Sequence, residues 1–147
     1  MILLIEKSRR LLTAAGDGGE RLLQCKIALG SDPTGPKQRQ GDGKTPEGIY
    51  FVCLKKMGKW GPSLGISYPN EDDAKRAGAG EQLSQCIRER AAKGERPPWG
   101  SPLGGEIFIH GGGAEKDWTA GCIALEDEQA QALYDLVPVG TKIMIRP

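Results

Sequence analysis

Histidine is almost missing from this chain: there is one, His110, in 147 residues. No Cys-x-x-Cys pair accompanies it, so Cys25, Cys53, Cys86 and Cys122 do not read as a structural zinc site. No metal and no cofactor is expected. If Cys122 serves as a free thiol, at most one disulfide closes among the other three. Long hydrophobic runs are absent too. Nothing approaches the roughly 18 apolar residues of a membrane span. The opening MILLIEK places four apolar residues ahead of Glu6, short of the about 7–15 of a signal-peptide core. The chain as it stands reads as soluble, either cytosolic or the mature part of an exported protein. An excess of one charge is also lacking, since 20 basic residues face 19 acidic ones. That balance predicts no electrostatic hold on nucleic acid or on an anionic membrane. The pairs Arg9–Arg10 and Lys55–Lys56 read as solvated faces. There are no internal repeats and no low-complexity segment.

What the chain does have is glycine, 22 residues, and proline, 10. Both indicate many turns in what the length suggests is one domain, 1–147. ILLIE, LLTAA and RLLQCKIALG (21–30) read as a β-meander, the last with Leu23, Cys25, Ile27 and Leu29 on one face. Residues 30–48 form a long loop, of the kind that is usually functional or disordered. IYFVCLKK (49–56) is a strand, and 58–70 reads as irregular. A helix is predicted over 71–93, with Asn70 as N-cap, breaks at Gly78 and Gly80, and a stop at Gly94. Residues 70–100 thus form a helical and loop insertion, expected to cover a cleft. EIFIH (106–110) is a strand, 126–137 an amphipathic helix, and TKIMIRP an edge or terminal strand.

His110 ends a strand, where side chains project toward a loop-lined cleft. Cys122 follows the small Ala120–Gly121, and eleven residues loop back between the two. A thiol attacks as its thiolate, and a neighbouring imidazole favours that form, so an ion pair with His110 should depress the Cys122 pKa. Amides around Gly121 and Cys122 are candidate oxyanion-hole donors. Against this stand plain structural readings, a hydrogen-bonded histidine and a packed cysteine. Cys25, Cys53 and Cys86 lie on core-like patterns. GDGKTPEG (41–48) lacks P-loop spacing and precedes a strand, so it is predicted to wall the site and not to cradle an anion. Trp99 offers an aromatic surface for a ligand or a core.

These residues carry a resemblance. HGG followed by WTAGCIAL resembles the catalytic segment of the L,D-transpeptidase (YkuD-like) family, and GDGKTPEGIY (41–50) is similar to that family's loop and strand. SLGISYPN (63–70) looks like a stretch before the helical insertion of some members. Ala120 replaces the motif's second histidine and Ala124 its Arg or Asn, which suggests a subgroup reading Gly-Cys-Ile-Ala-Leu. The resemblance implies a mainly β fold, a mixed-sheet barrel-like sandwich with one helix after the cysteine and an inserted helical segment. It implies Cys122 as nucleophile, His110 as base, the Gly111 carbonyl as its orienter, and Gly121 and Cys122 as oxyanion-hole amides. Thr119, Trp118 and Tyr68, with Trp99, would bind substrate. The implied partner is a peptidoglycan stem peptide, cut through a Cys thioester in the cell envelope or periplasm. An amine acceptor gives transpeptidation and water gives L,D-carboxypeptidase or hydrolase activity. A silent cell-wall-binding module is the alternative from another class.

Overall fold

A computed structural model describes residues 1–147. In β1 (Ile2–Glu6) and β2 (Leu11–Ala15) every second side chain is buried. Their antiparallel register sets Leu3 opposite Ala14 and Ile5 opposite Leu12. Alternate residues of a strand share a face, so these four form one apolar patch. β3 (Arg21–Lys26) continues the meander but buries only Cys25. The strand expected over 21–30 stops at Lys26. Beyond it Ile27, Ala28 and Leu29 are all buried, and alternation ends as the chain crosses to a new partner.

The closing strand, β8 (Lys142–Arg146), read from sequence as an edge or terminal strand, is last in the chain but not at an edge of the sheet. It lies between β1, which it joins in parallel, and β4 (Gly48–Gly58), which it joins antiparallel. Ile143 pairs with Leu3 on one side and Tyr50 on the other, and all three are buried. β4 is eleven residues long and serves two neighbours. Its first part pairs with β8 and its second with β5 (Gly61–Ile66), with a register shift between Val52 and Leu54. A bulge there bends the strand and re-aims its second half. β5 falls in the stretch read as irregular. Gly, Pro and Ser are poor strand formers, yet Leu64 and Ile66 reach the core and tertiary packing overrides the propensity. Gly58 pairs with Gly61, so Lys59 and Trp60 form a two-residue hairpin loop.

β6 (Phe108–His110) adds to β5, and β7 (Ile123–Ala124) adds in parallel to β6. The strand order is β3-β2-β1-β8-β4-β5-β6-β7. Two isolated bridges, Ala28 with Ala124 and Gly30 with Thr119, then draw the chain after β3 against the β7 end. The mixed sheet curls into a half-barrel around the main apolar core, the mainly β architecture expected.

α1 (Glu71–Arg76) starts at a capping box. Asn70 accepts from the Asp73 amide, and Asp73 accepts from the Asn70 amide. Gly78 and Gly80, at φ +64° and +88°, separate it from α2 (Glu81–Ala92). Asp73 also takes the Tyr50 hydroxyl at 2.8 Å, which docks the insertion on β4. α3 (Asp127–Leu136) follows β7 and buries Ala130 and Leu133 against the sheet. No helix is long and apolar enough to cross a membrane.

Candidate active site

The parallel register of β6 and β7 builds the site. Ile109 pairs with Ile123, and both face the core. Their neighbours therefore face the other way: His110 and Ala124, and one step back Phe108 and Cys122. One step back along the ladder, Cys122 falls beside Phe108, two residues from His110 on β6. The Cys122 thiol is placed by two backbone groups. The Phe108 N–H donates to Sγ at 3.4 Å, and Sγ donates to the Glu106 carbonyl at 3.7 Å.

His110 is 5% exposed. Its Nδ1 lies 2.6 Å from the Gly111 carbonyl. A carbonyl only accepts, so Nδ1 carries the proton and Nε2 keeps its lone pair. Two tryptophans enclose the ring. Trp60 stacks on it at 6.0 Å between centroids, and Trp118 meets it edge-on at 5.9 Å. Gly112, at φ +107°, passes between them, where a Cβ would come within 2.9 Å of Trp118. Asp127 at the start of α3 accepts the Gly112 amide, and Glu126 accepts the Ala114 amide. The glycine run is thus tied to the helix that follows the cysteine.

The turn before Cys122 is fixed by Thr119, whose hydroxyl donates to the Cys122 carbonyl at 2.7 Å and accepts the Gly121 amide at 3.1 Å. This corrects two sequence expectations. The Thr119 hydroxyl is committed to the turn, and its residue is only 6% exposed. The Gly121 amide is spent on it, so of the two expected oxyanion donors only the Cys122 amide takes no partner within the chain. Thr119→Val should leave a buried amide and carbonyl unpaired, costing about 1–3 kcal/mol for each. A lowered melting temperature with slower acylation is expected, both restored by Thr119→Ser. A melting curve equal to the parent's would refute that role.

Gly121, at φ +144°, sits where a Cβ would lie 2.8 Å from the Lys44 carbonyl. The loop 30–48 therefore packs directly on the cysteine turn. Lys7, 3% exposed, reaches into that loop and donates to the Gly35 and Thr45 carbonyls and to Glu47. Lys44 is held by Asp32 and the Thr34 carbonyl, which leaves no open phosphate cradle. Arg10 is not the solvated charge its sequence suggests. It makes a bidentate pair with Asp117, which also accepts the Leu29 amide, and so fastens the His-to-Cys loop to the meander.

Electrostatics run opposite to the expected ion pair. Burial pushes the Cys122 thiol up, against the downward pull of the Phe108 amide and the Lys37 charge. Burial also pulls His110 below its ordinary 6.5, against the Gly111 bond that raises it. At neutral pH both groups are therefore uncharged. An imidazole that must be neutral to accept a proton, and whose pKa is lowered, stays competent above that pKa and fails as pH falls through it. The acid limb of kcat/KM should accordingly lie below pH 6.5. An acid limb above that value would contradict the neutral pair.

A cleft of about 500 Å³ opens beside His110, lined by Trp60, Gly112, Gly113, Trp118 and the charged Glu115, Lys116 and Glu126. Trp60 is missed by sequence reasoning. Its only signal is an aromatic between glycines, GKWG, and it counts only once 58–61 is seen as a hairpin tip. Trp118 lines this cleft and donates its indole N–H to the Gly113 carbonyl. Tyr68, expected at the substrate, is fully buried with its hydroxyl on the Leu103 carbonyl. It is core, because the chain turns it inward ahead of α1. Trp99 is half-buried, donates to the Tyr68 carbonyl and packs edge-on against Phe108 at 5.6 Å. It reaches the site only through Phe108. Of the insertion, α1 docks on β4 through the Tyr50–Asp73 bond. α1 and α2 border a larger hollow of about 630 Å³, with Tyr50, Asn70 and Arg88 in its wall, which contains neither Cys122 nor His110. No cluster of three or more His, Cys, Asp or Glu side chains is placed to hold a metal ion.

Over 81 residues the chain is 36% identical to YafK of Escherichia coli (strain K12), provisionally named an L,D-transpeptidase; the match takes 53% of this chain and 33% of YafK. The solved structure of the helical cell shape determining protein Pgp2 (K307A mutant) from Campylobacter jejuni superposes with a TM-score of 0.71 at 24% identity, over 99% of this chain and 46% of that one. An L,D-transpeptidase from Xylanimonas cellulosilytica superposes with a TM-score of 0.59 at 14% identity, over 99% and 59%. At those identities the likeness is one of fold. The chain spans about a third of the length of the curated relative it matches. The profile of YkuD, described as the L,D-transpeptidase catalytic domain, matches residues 1–145, and the chain belongs to that family.

Proposed function

We propose that residues 1–147 form one catalytic domain, a cysteine-dependent L,D-transpeptidase that acts on peptidoglycan stem peptides in the cell envelope. The observation that carries the reading is the placement of Cys122 and His110 on one face, with Nδ1 held by Gly111 and Nε2 free as a base. Nε2 takes the thiol proton as sulfur attacks the carbonyl of the scissile L,D bond. Negative charge moves to the carbonyl oxygen, where the Cys122 amide is a donor. The C–N bond then breaks, the leaving D-amino acid's amine takes the proton from His110, and a thioester remains. An acceptor amine would restore a peptide bond, whereas water would release an acid. Two uncharged partners suit this sequence, because charge is created only during attack. The test is incubation with purified muropeptides, followed by mass spectrometry of protein and products. A thioester mass on the Cys122 peptide supports the reading. Cross-linked product assigns the amine as acceptor, and a shortened stem assigns water. Neither adduct nor product would overturn it.

A further inference from the structure

Lys37 is 2% exposed, and its ammonium makes one hydrogen bond, 2.9 Å to Asp42 Oδ1. An ammonium has three N–H donors, and a buried charge is costly unless it is paired. Its location gives the cost a use. Nζ lies 3.6 Å from where a Cβ on Gly121 would stand, beside the peptide that carries Cys122. The counter-ion faces elsewhere. Asp42 accepts the amides of Gln38 and Arg39 on Oδ2 and of Lys44 on Oδ1. Burial pushes this carboxyl up, but the Gln38 amide, the hydrogen bond from Lys37 and the Lys44 and Arg39 amides overcome it and hold it at about 2. The negative end of the pair is thus absorbed by its own loop, and the positive end borders the cysteine turn.

Resting on the thiol-nucleophile reading above, we propose that Lys37 is a positioning residue for Cys122. Its buried ammonium, set by Asp42 against the Gly121–Cys122 peptide, stabilises the thiolate that forms as the proton passes from Sγ to His110 Nε2. The charge left on sulfur develops beside a cation that is already in place, so nothing has to reorganise. The remaining charged and titratable neighbours do not supply this field. Glu106 acts in the opposite sense, raising the thiol. His110 is neutral in the resting site, and the Lys44 ammonium is turned to Asp32 and Thr34. The Tyr68 hydroxyl bonds the Leu103 carbonyl and lies 3.5 Å from the Lys37 carbonyl, not on its ammonium. A lysine that merely clamped the loop would leave the thiol's titration unchanged.

The pH dependence of Cys122 alkylation by iodoacetamide separates the two. It is measured on the full chain carrying Cys86→Ser, with labelling mapped to the Cys122 peptide. The reaction needs no peptidoglycan, so its outcome is independent of the muropeptide test. Lys37→Met should move the alkylation midpoint up by about one pH unit or more, or about tenfold slower labelling at a fixed pH below it. Asp42→Asn, which leaves the ammonium without its counter-ion, should move it down. Lys37→Met decides where it folds cooperatively in a thermal melt, and a profile superimposed on the parent's overturns the proposal. If it does not fold, Asp42→Asn decides, and an unchanged or raised midpoint overturns it. If neither folds, the pair is a structural clamp and the assignment is withdrawn.

Discussion

On the proposed thioester route, Cys122→Ala should abolish the acyl-enzyme and turnover together, a loss of about 10⁴-fold or more, with the fold kept. The survival follows from how little the sulfur holds. Its contacts are one long bond from the Phe108 amide and one to the Glu106 carbonyl, and the residue is half-buried. The turn around it is secured by Thr119, not by the thiol. No other cysteine substitutes. Burial pushes Cys25 and Cys53 up to about 11, and Cys86 sits on α2, away from the imidazole. Intact-mass measurement after incubation with stem peptide reads the result. An adduct that persists in Cys122→Ala and maps to another residue would displace Cys122 as the nucleophile.

With His110 as the proposed base, His110→Ala should lower kcat/KM by about 10²–10⁴-fold, the usual worth of a general base. The chain holds no second histidine to take its place. The two tryptophans pack on the ring, so the alanine variant also opens a void between them. His110→Gln fills that space, keeps a group able to bond the Gly111 carbonyl, and removes the base. If packing were the role of His110, the glutamine variant would recover activity and the alanine variant would not. If the imidazole is the base, both are slow, and the acid limb of the pH profile disappears from each. Parental activity in folded His110→Gln would show that the proton goes elsewhere.

The parts of this arrangement that sequence reveals are those set by local pattern. Alternation in ILLIE and LLTAA gives the meander, and Asn70 ahead of three acidic residues gives the start of α1. His110 and Cys122 stand out because the chain's one imidazole ends a strand and the segments HGG and WTAGCIAL carry the family resemblance. The rest depends on partners distant in the chain. β5 has a composition that argues against a strand, and β7 is two residues long, so both exist only through their neighbours. Tyr68 and Trp99 read as substrate contacts because composition does not reveal which way a side chain points. Arg10 reads as surface charge, since the Asp117 that pairs it lies over a hundred residues along the chain. The expected thiolate ion pair fails for a related reason. Proximity favours charge separation, but burial opposes it for both partners.

β8 joins two groups of strands that otherwise share no ladder, β1 to β3 on one side and β4 to β7 on the other. It is also the last strand in the chain, at Lys142–Arg146. Synthesis from the N-terminus therefore delivers two half-sheets, each with an unfilled edge, before it delivers the piece that unites them. Folding cannot proceed in the order of synthesis, and contacts that span almost the whole chain must form before the core is closed. The cysteine turn inherits this dependence. It leans on Leu29 and Gly30, in the stretch just past β3, and on β6. Assembly of the cysteine turn thus waits on a strand that supplies none of its side chains, so substitutions in β8 that loosen its two ladders should unsettle the site from a distance.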